Sequence, residues 1–408
     1  MDLQFSPADN EFRAKVRKWF EANLPKTELK TLDDRKAWHR KLFDAGFVGM
    51  GWPKEFGGQD ARPMEQAIVA DEMARCNAPS TVNGLGLSIV GPTIIHHGSH
   101  EQKSRYLKKI LNADEIWCQL YSEPNSGSDL ASLKTRAEDK GDYYEINGQK
   151  VWTSGGFISD WGLLLARTDP NVVKHQGISC FLINMRQPGV EVRPLKQITG
   201  GSEFCEVFFD KARVEKFDLI GKLNQGWQIA QTTLGFERGG GTLNRVTSYM
   251  MSLRRLVEVT KQLKYNGHSA FDDPLVRQKL GRAYVELEVM RYSGLRILTR
   301  LEKGQRPGPE SSIAKLYYSE FDKRYHEWVL EILGPYGTTI EGMPAELAEA
   351  DKSGDYGRHG SWGTDFLQSR APTIYAGTSE IQKNIIGERV LGLPKEVRTD
   401  RIEAKTKG

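Results

Sequence analysis

A short polar segment in the first third of the chain carries side chains suited to binding a cofactor. The run from Tyr121 to Asp129 reads YSEPNSGSD and follows a β-like stretch. Its hydroxyl groups and its glycine backbone place several hydrogen-bond donors close together, and such a loop can bind a flavin edge or a phosphate. A capped loop without a ligand explains the same spacing equally well. The candidate binding residues are Tyr121, Ser122, Gly127 and Ser128.

Several other kinds of catalytic site are excluded by motifs that the sequence lacks. The eight histidines and four cysteines form neither an HExxH motif nor a zinc-ligand spacing, so we expect no metal site. A Gly-x-Ser-x-Gly elbow and a Walker A motif are also missing. Gly84-x-Gly86 lacks the third glycine of a dinucleotide loop, because Ile89 stands there. His96-His97 fits a helix end better than a catalytic role.

The polar segment also resembles a signature of the acyl-CoA dehydrogenase family. That signature has Ser or Thr, then Glu, two variable residues, a small residue and Gly-Ser/Thr-Asp. The run from Ser122 to Asp129 fits this pattern, whereas Leu120 and Tyr121 depart from the two positions before it. The resemblance favours a flavin loop over a capped loop.

Further segments continue the resemblance along nearly the whole chain. Residues 148–156, GQKVWTSGG, are similar to the family strand whose Trp lies against the flavin, and residues 370–394 are similar to the C-terminal signature. FISDW at 157–161, LLARTD at 164–169 and PGVEV at 188–192 also match. The resemblance implies bound FAD, an acyl-CoA substrate and electron-transfer flavoprotein as acceptor. It assigns cofactor contacts to Tyr121, Ser122, Gly127, Ser128, Trp152, Thr153, Ser154, Thr378 and Glu380.

The reaction implied by the resemblance is α,β-dehydrogenation of an acyl-CoA thioester. A base takes the α-proton while the β-hydride passes to flavin N5, which Ser154 would face. The thioester oxygen then needs hydrogen-bond donors, and in the family the backbone N–H at the position of Ala376 is one of them. Substrate contacts are implied for Ser128, Arg238, Tyr375 and Gly377.

Position 376 lacks the acid that many family members use as the base. Ala376 stands between Tyr375 and Gly377, and a methyl group cannot accept a proton. Isovaleryl- and long-chain-type members instead carry a Glu at the position of Glu237, immediately before Arg238. In isolation Glu237 fits an exposed helix carboxylate, but the missing acid makes it the candidate base, with burial raising its pKa toward neutrality.

Three glycines follow this candidate base directly. Gly239, Gly240 and Gly241 cost about 1 kcal/mol each relative to Ala inside a helix. Space for a bulky acyl group explains the run, and a helix kink without a ligand role explains it nearly as well.

Two segments predict that the chain works with a related subunit. Family homotetramers complete each neighbouring flavin site with Arg-x-x-Phe-Gly and Gln-x-x-Gly-x-x-Gly. Here residues 264–274 read KYNGHSAFDDP without that arginine, and Glu331, Gly334 and Gly337 put an acid in place of the glutamine. Because a carboxylate faces a phosphate-rich ligand unfavourably, we expect a heterotetramer, with a homo-oligomer using other residues as the alternative.

The elements that position these residues follow a helical, β, helical order. Helical periodicity in residues 1–116, with a start at Ser6-Pro7, predicts an N-terminal helical domain. Short strand-like runs in residues 117–222 predict a middle antiparallel β domain, with Asn147-Gly148 as a hairpin turn. Residues 223–408 predict a C-terminal four-helix bundle with long helices at 227–263, 274–301 and 311–333, and an irregular stretch at 336–369. The expected class is α+β, with the acyl-CoA dehydrogenase fold.

Composition limits the partners and the location. The 57 basic and 53 acidic residues are interleaved and give a net charge of +4, so no basic face for nucleic acid is expected. The longest apolar run, 84–95, is shorter than the roughly 20 residues of a membrane span. Scattered cysteines and an N-terminus without an apolar leader predict a reducing, cytoplasmic location.

Two other functions compete with the FAD-dependent dehydrogenase. A non-catalytic flavin-binding subunit is favoured by Ala376 and disfavoured by Glu237. A flavin oxidase or monooxygenase on the same scaffold would differ in oxygen access, which depends on cavity shape.

Overall fold

A computed structural model describes residues 5–238, 242–305, 308–309, 311–338, 347 and 361–395, with side chains for all of these except 236–238 and 242. The order of elements is helical, then β, then helical. The predicted α+β class and three-domain fold are confirmed. The domain boundaries after residues 116 and 222 stay predictions.

The N-terminal region consists of helices whose starts are encoded by local capping. Ser6 caps the first helix, because its hydroxyl accepts from the Asp9 backbone N–H while the Asp9 side chain accepts from the Ser6 N–H. Ser99 forms the same reciprocal arrangement with Gln102. The predicted start at Ser6-Pro7 is therefore correct. The helices are α1 (Pro7–Asn23), α2 (Leu32–Asp44), α3 (Pro63–Arg75), α4 (Gly91–His97) and α5 (His100–Leu111).

The middle region is one eight-stranded sheet. Its strands are β1 (Trp117–Leu120), β2 (Arg136–Asp139), β3 (Tyr143–Ser154), β4 (Trp161–Arg167), β5 (Ile178–Asn184), β6 (Val190–Leu195), β7 (Phe204–Glu215) and β8 (Leu219–Ile220). The order is β6-β7-β3-β2-β4-β5-β8, with β1 also paired to β4. The pairings are antiparallel as predicted, except that β1 and one residue of β2 pair with β4 in parallel.

The predicted hairpin turn at Asn147-Gly148 is wrong. Both residues lie inside the continuous strand β3, and the register against β7 shifts between Ile146 and Gly148. Gly148 has φ +150°, and a Cβ there would come within 2.7 Å of the Thr135 backbone. The glycine therefore serves a bulge and a close strand approach rather than a turn.

The C-terminal region is again helical, with two departures from the predicted pattern. The helix predicted at 227–263 is two helices, α6 (Gly226–Arg238) and α7 (Thr242–Gln262). The stretch 336–369, predicted irregular, contains α10 (Trp362–Gln368), and much of the rest lies outside the described residues. The remaining elements are the β9 (Lys264–Tyr265) and β10 (His268–Ser269) hairpin, α8 (Pro274–Glu302), α9 (Ser311–Leu333) and α11 (Ser379–Ile385). Neither these nor the other described helices have the length and apolarity to cross a membrane.

The strands β4 and β5 are packed on both faces, so a ligand can reach them at their ends and connecting loops. Alternate residues of β4 point to opposite sides: Leu163 joins the core beneath the N-terminal helices, and Leu164 joins the core on the other face. Along β3 and β7, buried residues largely alternate with more accessible ones. A separate core fills the bundle of α7, α8 and α9.

Candidate functional site

The polar segment after β1 folds as a tight turn with an open tip. Glu123 and Ser126 exchange two backbone hydrogen bonds of 3.1 and 3.0 Å. The Ser122 carbonyl accepts from the Val151 N–H at 2.9 Å, which ties the segment to β3. Of the predicted contacts, Tyr121 is buried and Ser122 partly buried, while Gly127 and Ser128 are exposed at the tip. The turn therefore offers Gly127 and Ser128 to a ligand and anchors the residues before them.

A buried ion pair supports this turn from below. The Lys150 ammonium is completely buried and lies 2.8 Å from the Glu123 carboxylate and 3.1 Å from the Tyr121 carbonyl. Glu123 also accepts from the backbone N–H groups of Lys134 and Thr135, at 2.6 and 2.9 Å. These contacts satisfy both charges without water, so the turn has a rigid base.

The two ionisable groups of this pair respond to burial differently. Burial opposes ionisation of Glu123, but the Lys150 charge and its hydrogen bonds hold the pKa of the carboxyl below its ordinary value. Burial lowers the pKa of Lys150 to about 8, against the opposing effect of Glu123. Lys150 was not recognised from the sequence, because a lysine in a strand is normally exposed.

The end of β3 presents an aromatic ring and two hydroxyls. Trp152 is 59% exposed and has φ +60°, at a point where the register between β3 and β7 shifts. Thr153 is buried, and its Oγ1 has no hydrogen-bond partner among the described residues. Ser154 beside it is partly buried. An exposed indole next to an unsatisfied buried hydroxyl is an arrangement that a planar, hydrogen-bonding ring would complete.

The C-terminal signature forms a left-handed turn. Ala376 has φ +53° and Gly377 has φ +84°. The Ala376 N–H finds no acceptor among the described residues. Thr378 then caps α11, because its hydroxyl accepts from the Ile381 N–H at 3.2 Å. The turn thus leaves one main-chain donor available.

Two side chains hold this turn through its carbonyl groups. Lys315, on α9, donates to the Gly377 carbonyl at 2.6 Å and to the Pro372 carbonyl at 2.8 Å. Gln382, on α11, donates to the Ala376 carbonyl at 3.0 Å. The Ala376 and Gly377 carbonyls share their peptide planes with the N–H groups of Gly377 and Thr378, so these contacts hold the turn immediately after the Ala376 N–H. No sequence signal identified Lys315, which is 62 positions away from Gly377.

The other predicted residues of this region have different environments. The Tyr375 hydroxyl lies 3.4 Å from the Tyr318 hydroxyl, on α9. Glu380 is exposed, and its own backbone N–H together with the Thr378 side chain holds the pKa of its carboxyl below the ordinary value. Glu380 is therefore an anion at the start of α11.

The predicted base lies on a helix with a fixed position, but its side chain is outside the described residues. Glu237 and Arg238 are the last two residues of α6. That helix is anchored by a 3.0 Å contact between the buried hydroxyls of Thr233 and Thr93. At its other end, a Cβ on Gly226 would lie 2.6 Å from the Ser179 backbone, so α6 packs directly on the sheet. The roles of Glu237 and Arg238 stay predictions.

Apart from Glu237 and Arg238 on α6, the predicted residues form two groups. One lies in the segment after β1 and at the end of β3, and the other on the turn before α11 and at its start. No hydrogen bond or ion pair between described residues joins the two groups. The part of the chain that the structure describes also contains no group of three or more His, Cys, Asp or Glu placed to hold a metal.

Models of three consecutive protein domains match this chain in order. They are the N-terminal domain of acyl-CoA dehydrogenase over residues 6–114, its middle domain over 118–212 and its C-terminal domain over 224–391. The chain belongs to the acyl-CoA dehydrogenase family. The resemblance stated from the sequence is confirmed.

Named relatives in the acyl-CoA dehydrogenase family match the chain along most of its length. Acyl-CoA dehydrogenase IpdE1 of Mycolicibacterium smegmatis is 40% identical to this chain, and the match covers 95% of this chain and 98% of the IpdE1 chain. Two solved structures, a Tcur3481-Tcur3483 steroid ACAD and the ChsE4-ChsE5 complex from Mycobacterium tuberculosis, each have a TM-score of 0.82 at 28% identity. Each covers 97% of this chain and 100% of its own.

The described residues fit the FAD that acyl-CoA dehydrogenases carry. The exposed Trp152 ring offers a face for stacking, and the unsatisfied Thr153 hydroxyl beside it needs a hydrogen-bond partner. Gly127 has open space around the position of a Cβ, so the loop tip does not obstruct a ligand. These observations support the prediction of a flavin site at the end of β3.

Proposed function

We propose that this chain dehydrogenates an acyl-CoA thioester between its α and β carbons. The observation that carries the proposal is the turn from Tyr375 to Thr378, which holds the Ala376 N–H without an acceptor among the described residues. That N–H donates to the thioester oxygen and stabilises the negative charge that develops there when the α-proton leaves. Bound FAD would supply the acceptor for the β-hydride.

The proposed base is Glu237. The only side chain that Ala376 offers is a methyl group, so the proton must go to another residue. Glu237 ends a helix that is anchored to both α4 and the sheet, which suits a group that has to meet one carbon atom. Arg238 orients the carboxylate or the substrate. FAD is held by Trp152, Ser154 and the loop tip at Gly127 and Ser128, with Thr378 and Glu380 on the C-terminal side.

The test of the base is Glu237→Gln, measured as anaerobic flavin bleaching by a panel of acyl-CoA thioesters. The variant keeps its FAD, but the bleaching rate falls by several orders of magnitude, because a reacting group has been removed rather than a binding contact. Glu258→Gln, at an exposed residue of α7 paired with Lys261, is the control and bleaches normally. Near-normal bleaching by Glu237→Gln would reject Glu237 as the base.

The flavin itself has a separate test. The assembled protein is yellow as purified, or takes up added FAD, and Trp152→Ala lowers its FAD content. A fully assembled preparation that stays colourless after FAD addition contradicts the flavin site, whatever the identity of the base.

A related subunit completes the enzyme in this proposal. Glu331, on α9, is exposed and pairs with Lys279 of α8, so an acid occupies the place where homotetrameric members carry glutamine. An apolar face of α8 is also exposed, with Val285 at 60% and Tyr284 at 54%. The two-component names of the structural relatives support a heteromer, and the name steroid ACAD supports an acyl group derived from a steroid.

The heteromer is tested by purifying the tagged chain from its own cells. A second homologous chain co-purifies, in a tetramer with one FAD per two chains. A homotetramer with one FAD per chain and full activity would reject the heteromer and leave the chemistry unaffected. Electron-transfer flavoprotein as the acceptor and a cytoplasmic location remain part of the proposal.

Ala376 also favours a second candidate, a non-catalytic subunit that binds flavin for an active relative. In that case the assembled complex would bleach its flavin equally well with Glu237→Gln in this chain.

A further inference from the structure

Arg245 is a cationic residue near the proposed oxyanion donor, and the side chains of Tyr318 and Tyr375 link the two. Arg245 lies in the first turn of α7 and is partly buried, with its guanidinium carbon 3.9 Å from the centre of the Tyr318 ring. The Tyr318 hydroxyl is 3.4 Å from that of Tyr375, the residue before Ala376. Arg245 also follows Glu237 by eight positions. It therefore belongs to the surroundings of the proposed reacting centre.

No carboxylate among the described residues neutralises Arg245. The first turn of α7 contains no acid. Two carboxylates that contact α7 are engaged elsewhere: Asp322 accepts from the Tyr249 hydroxyl and lies 3.0 Å from His326 Nδ1. The other is Asp71, which is bound by the side chains of Arg13 and Thr247. The ring of Tyr318 is the contact that the structure gives to the Arg245 guanidinium.

This position is unfavourable for a cation that has only a structural role. Partial burial removes water from the guanidinium, and the described residues supply no anion in its place. The positive end of the helix dipole adds to the cost, because cations are destabilising near a helix N-terminus. The ring of Tyr318 compensates only in part, although it fixes the plane of the guanidinium. Among the described residues, no side chain or carbonyl takes up the N–H groups of the fork, which leaves them for an acceptor.

We propose that Arg245 binds an oxygen acceptor on the acyl group, remote from the thioester. The inference rests on the proposed function and names its substrate class: acyl-CoA thioesters whose acyl part carries a carboxylate or a ketone. A planar guanidinium held against a ring presents two parallel N–H donors, which match a carboxylate and also serve a ketone oxygen. An unsubstituted acyl chain leaves these donors without a partner, so the site discriminates against it.

The test compares three thioesters of equal chain length: octanoyl-CoA, 7-oxooctanoyl-CoA and octanedioyl mono-CoA. With the assembled holoenzyme, kcat/KM for at least one oxygenated thioester exceeds that for octanoyl-CoA by about tenfold or more. Preference for the diacid alone identifies a carboxylate, and preference for both oxygenated chains identifies a ketone-type acceptor. In Arg245→Gln the preference disappears, while kcat/KM for octanoyl-CoA changes by less than about threefold. Arg254→Gln, at an exposed residue of the same helix, leaves all three values unchanged.

A second variant keeps the test decisive even if Arg245→Gln does not fold. Arg245→Lys keeps the charge and loses the fork, and it lowers the preference without abolishing flavin bleaching. A wild-type enzyme without any preference, or a preference that survives both variants, overturns the inference while octanoyl-CoA still bleaches the flavin. If the wider panel of acyl-CoA thioesters bleaches the flavin and none of these three does, the inference alone fails. If no acyl-CoA thioester bleaches the flavin, the proposed function fails and the inference fails with it.

Discussion

The two halves of the candidate site are supported in different ways. On the middle-domain side, a completely buried lysine and a buried glutamate pair directly beneath the loop, Lys150 with Glu123. On the C-terminal side, Lys315 donates to the main-chain carbonyls of Pro372 and Gly377. The first support fixes hydroxyls and a loop tip, and the second holds the turn that carries the Ala376 N–H.

This difference shows how a chain can use charge to position groups without placing that charge at the reacting atoms. A buried ion pair is sensitive to the loss of either partner, since the other charge is left without compensation. Carbonyl groups held by a lysine lose hydrogen bonds when the lysine is replaced, but a carbonyl carries no net charge that is left uncompensated. The middle-domain side therefore depends more strongly on a single residue.

The largest expected effect is that of Lys150→Met. The variant lowers the free energy of unfolding by about 3–5 kcal/mol, because it leaves Glu123 buried without its cation. Glu123→Gln combined with Lys150→Met loses much less, since no charge remains to be compensated. Urea unfolding measures both, and Lys174→Met, which removes the exposed partner of Asp129, is the control at about 0–1 kcal/mol. Equal losses of unfolding free energy in the single and double variants would contradict the claim that Glu123 depends on the Lys150 charge.

The second effect is that of Lys315→Met on the C-terminal turn. Two carbonyl groups each lose a donor, and among the described residues only that of Gly377 keeps a second one, from Gln382, so unfolding becomes easier by about 1–3 kcal/mol. We also expect flavin bleaching by substrate to slow by more than stability alone explains, because the turn that carries the Ala376 N–H is held less firmly. Lys383→Met, at an exposed residue of α11, serves as the control. Unchanged bleaching in Lys315→Met would show that the turn keeps its shape without this lysine.

A smaller effect concerns pH. The pKa of Glu123 lies below its ordinary value of 4.5, so its contribution to stability is present above pH 4.5 and is lost as pH falls through the folded-state pKa. The wild type therefore loses stability on acidification below that pH, and the double variant Glu123→Gln with Lys150→Met loses less over the same range. Thermal melts across the acid range compare the two. If the melting temperatures of the two proteins fall equally with pH, Glu123 is not the source of the acid sensitivity.

The smallest effect is that of Ala376→Gly. Glycine removes the steric cost of a left-handed residue, which is about 1–2 kcal/mol. It also adds backbone entropy to the unfolded chain, which lowers stability by roughly 0.5–1 kcal/mol. The net change is therefore a stabilisation of between about 0 and 1.5 kcal/mol. Ala376→Val costs more, because a β-branched residue is disfavoured at positive φ. Urea unfolding of the two variants tests this order.

The sequence predicted the fold well where local signals and the order of motifs agreed. The capping box at Ser6 and the uninterrupted helix α9 (Ser311–Leu333) follow directly from short-range patterns. The pair Asn147-Gly148 led to a wrong prediction of a hairpin turn. In the sequence, a glycine needed for a close strand approach cannot be distinguished from one needed for a turn. Short-range patterns do not distinguish these two uses.

The lysines that support the candidate site could not be identified from short-range sequence patterns. Lys150 pairs with a residue 27 positions away, and Lys315 contacts carbonyls more than 50 positions away. Main-chain acceptors leave no trace in residue types, so a contact like that of Lys315 can be recognised only after folding. The residues expected to touch a ligand were predicted from family motifs, and their roles stay predictions.

The left-handed turn at position 376 has a consequence for how such sequences diverge. A donor that belongs to the main chain is indifferent to the side chain of its own residue, provided that the turn keeps its shape. In the proposed function the oxyanion donor and the base belong to different residues, Ala376 and Glu237. Position 376 is then open to substitution within the limits that a positive φ allows.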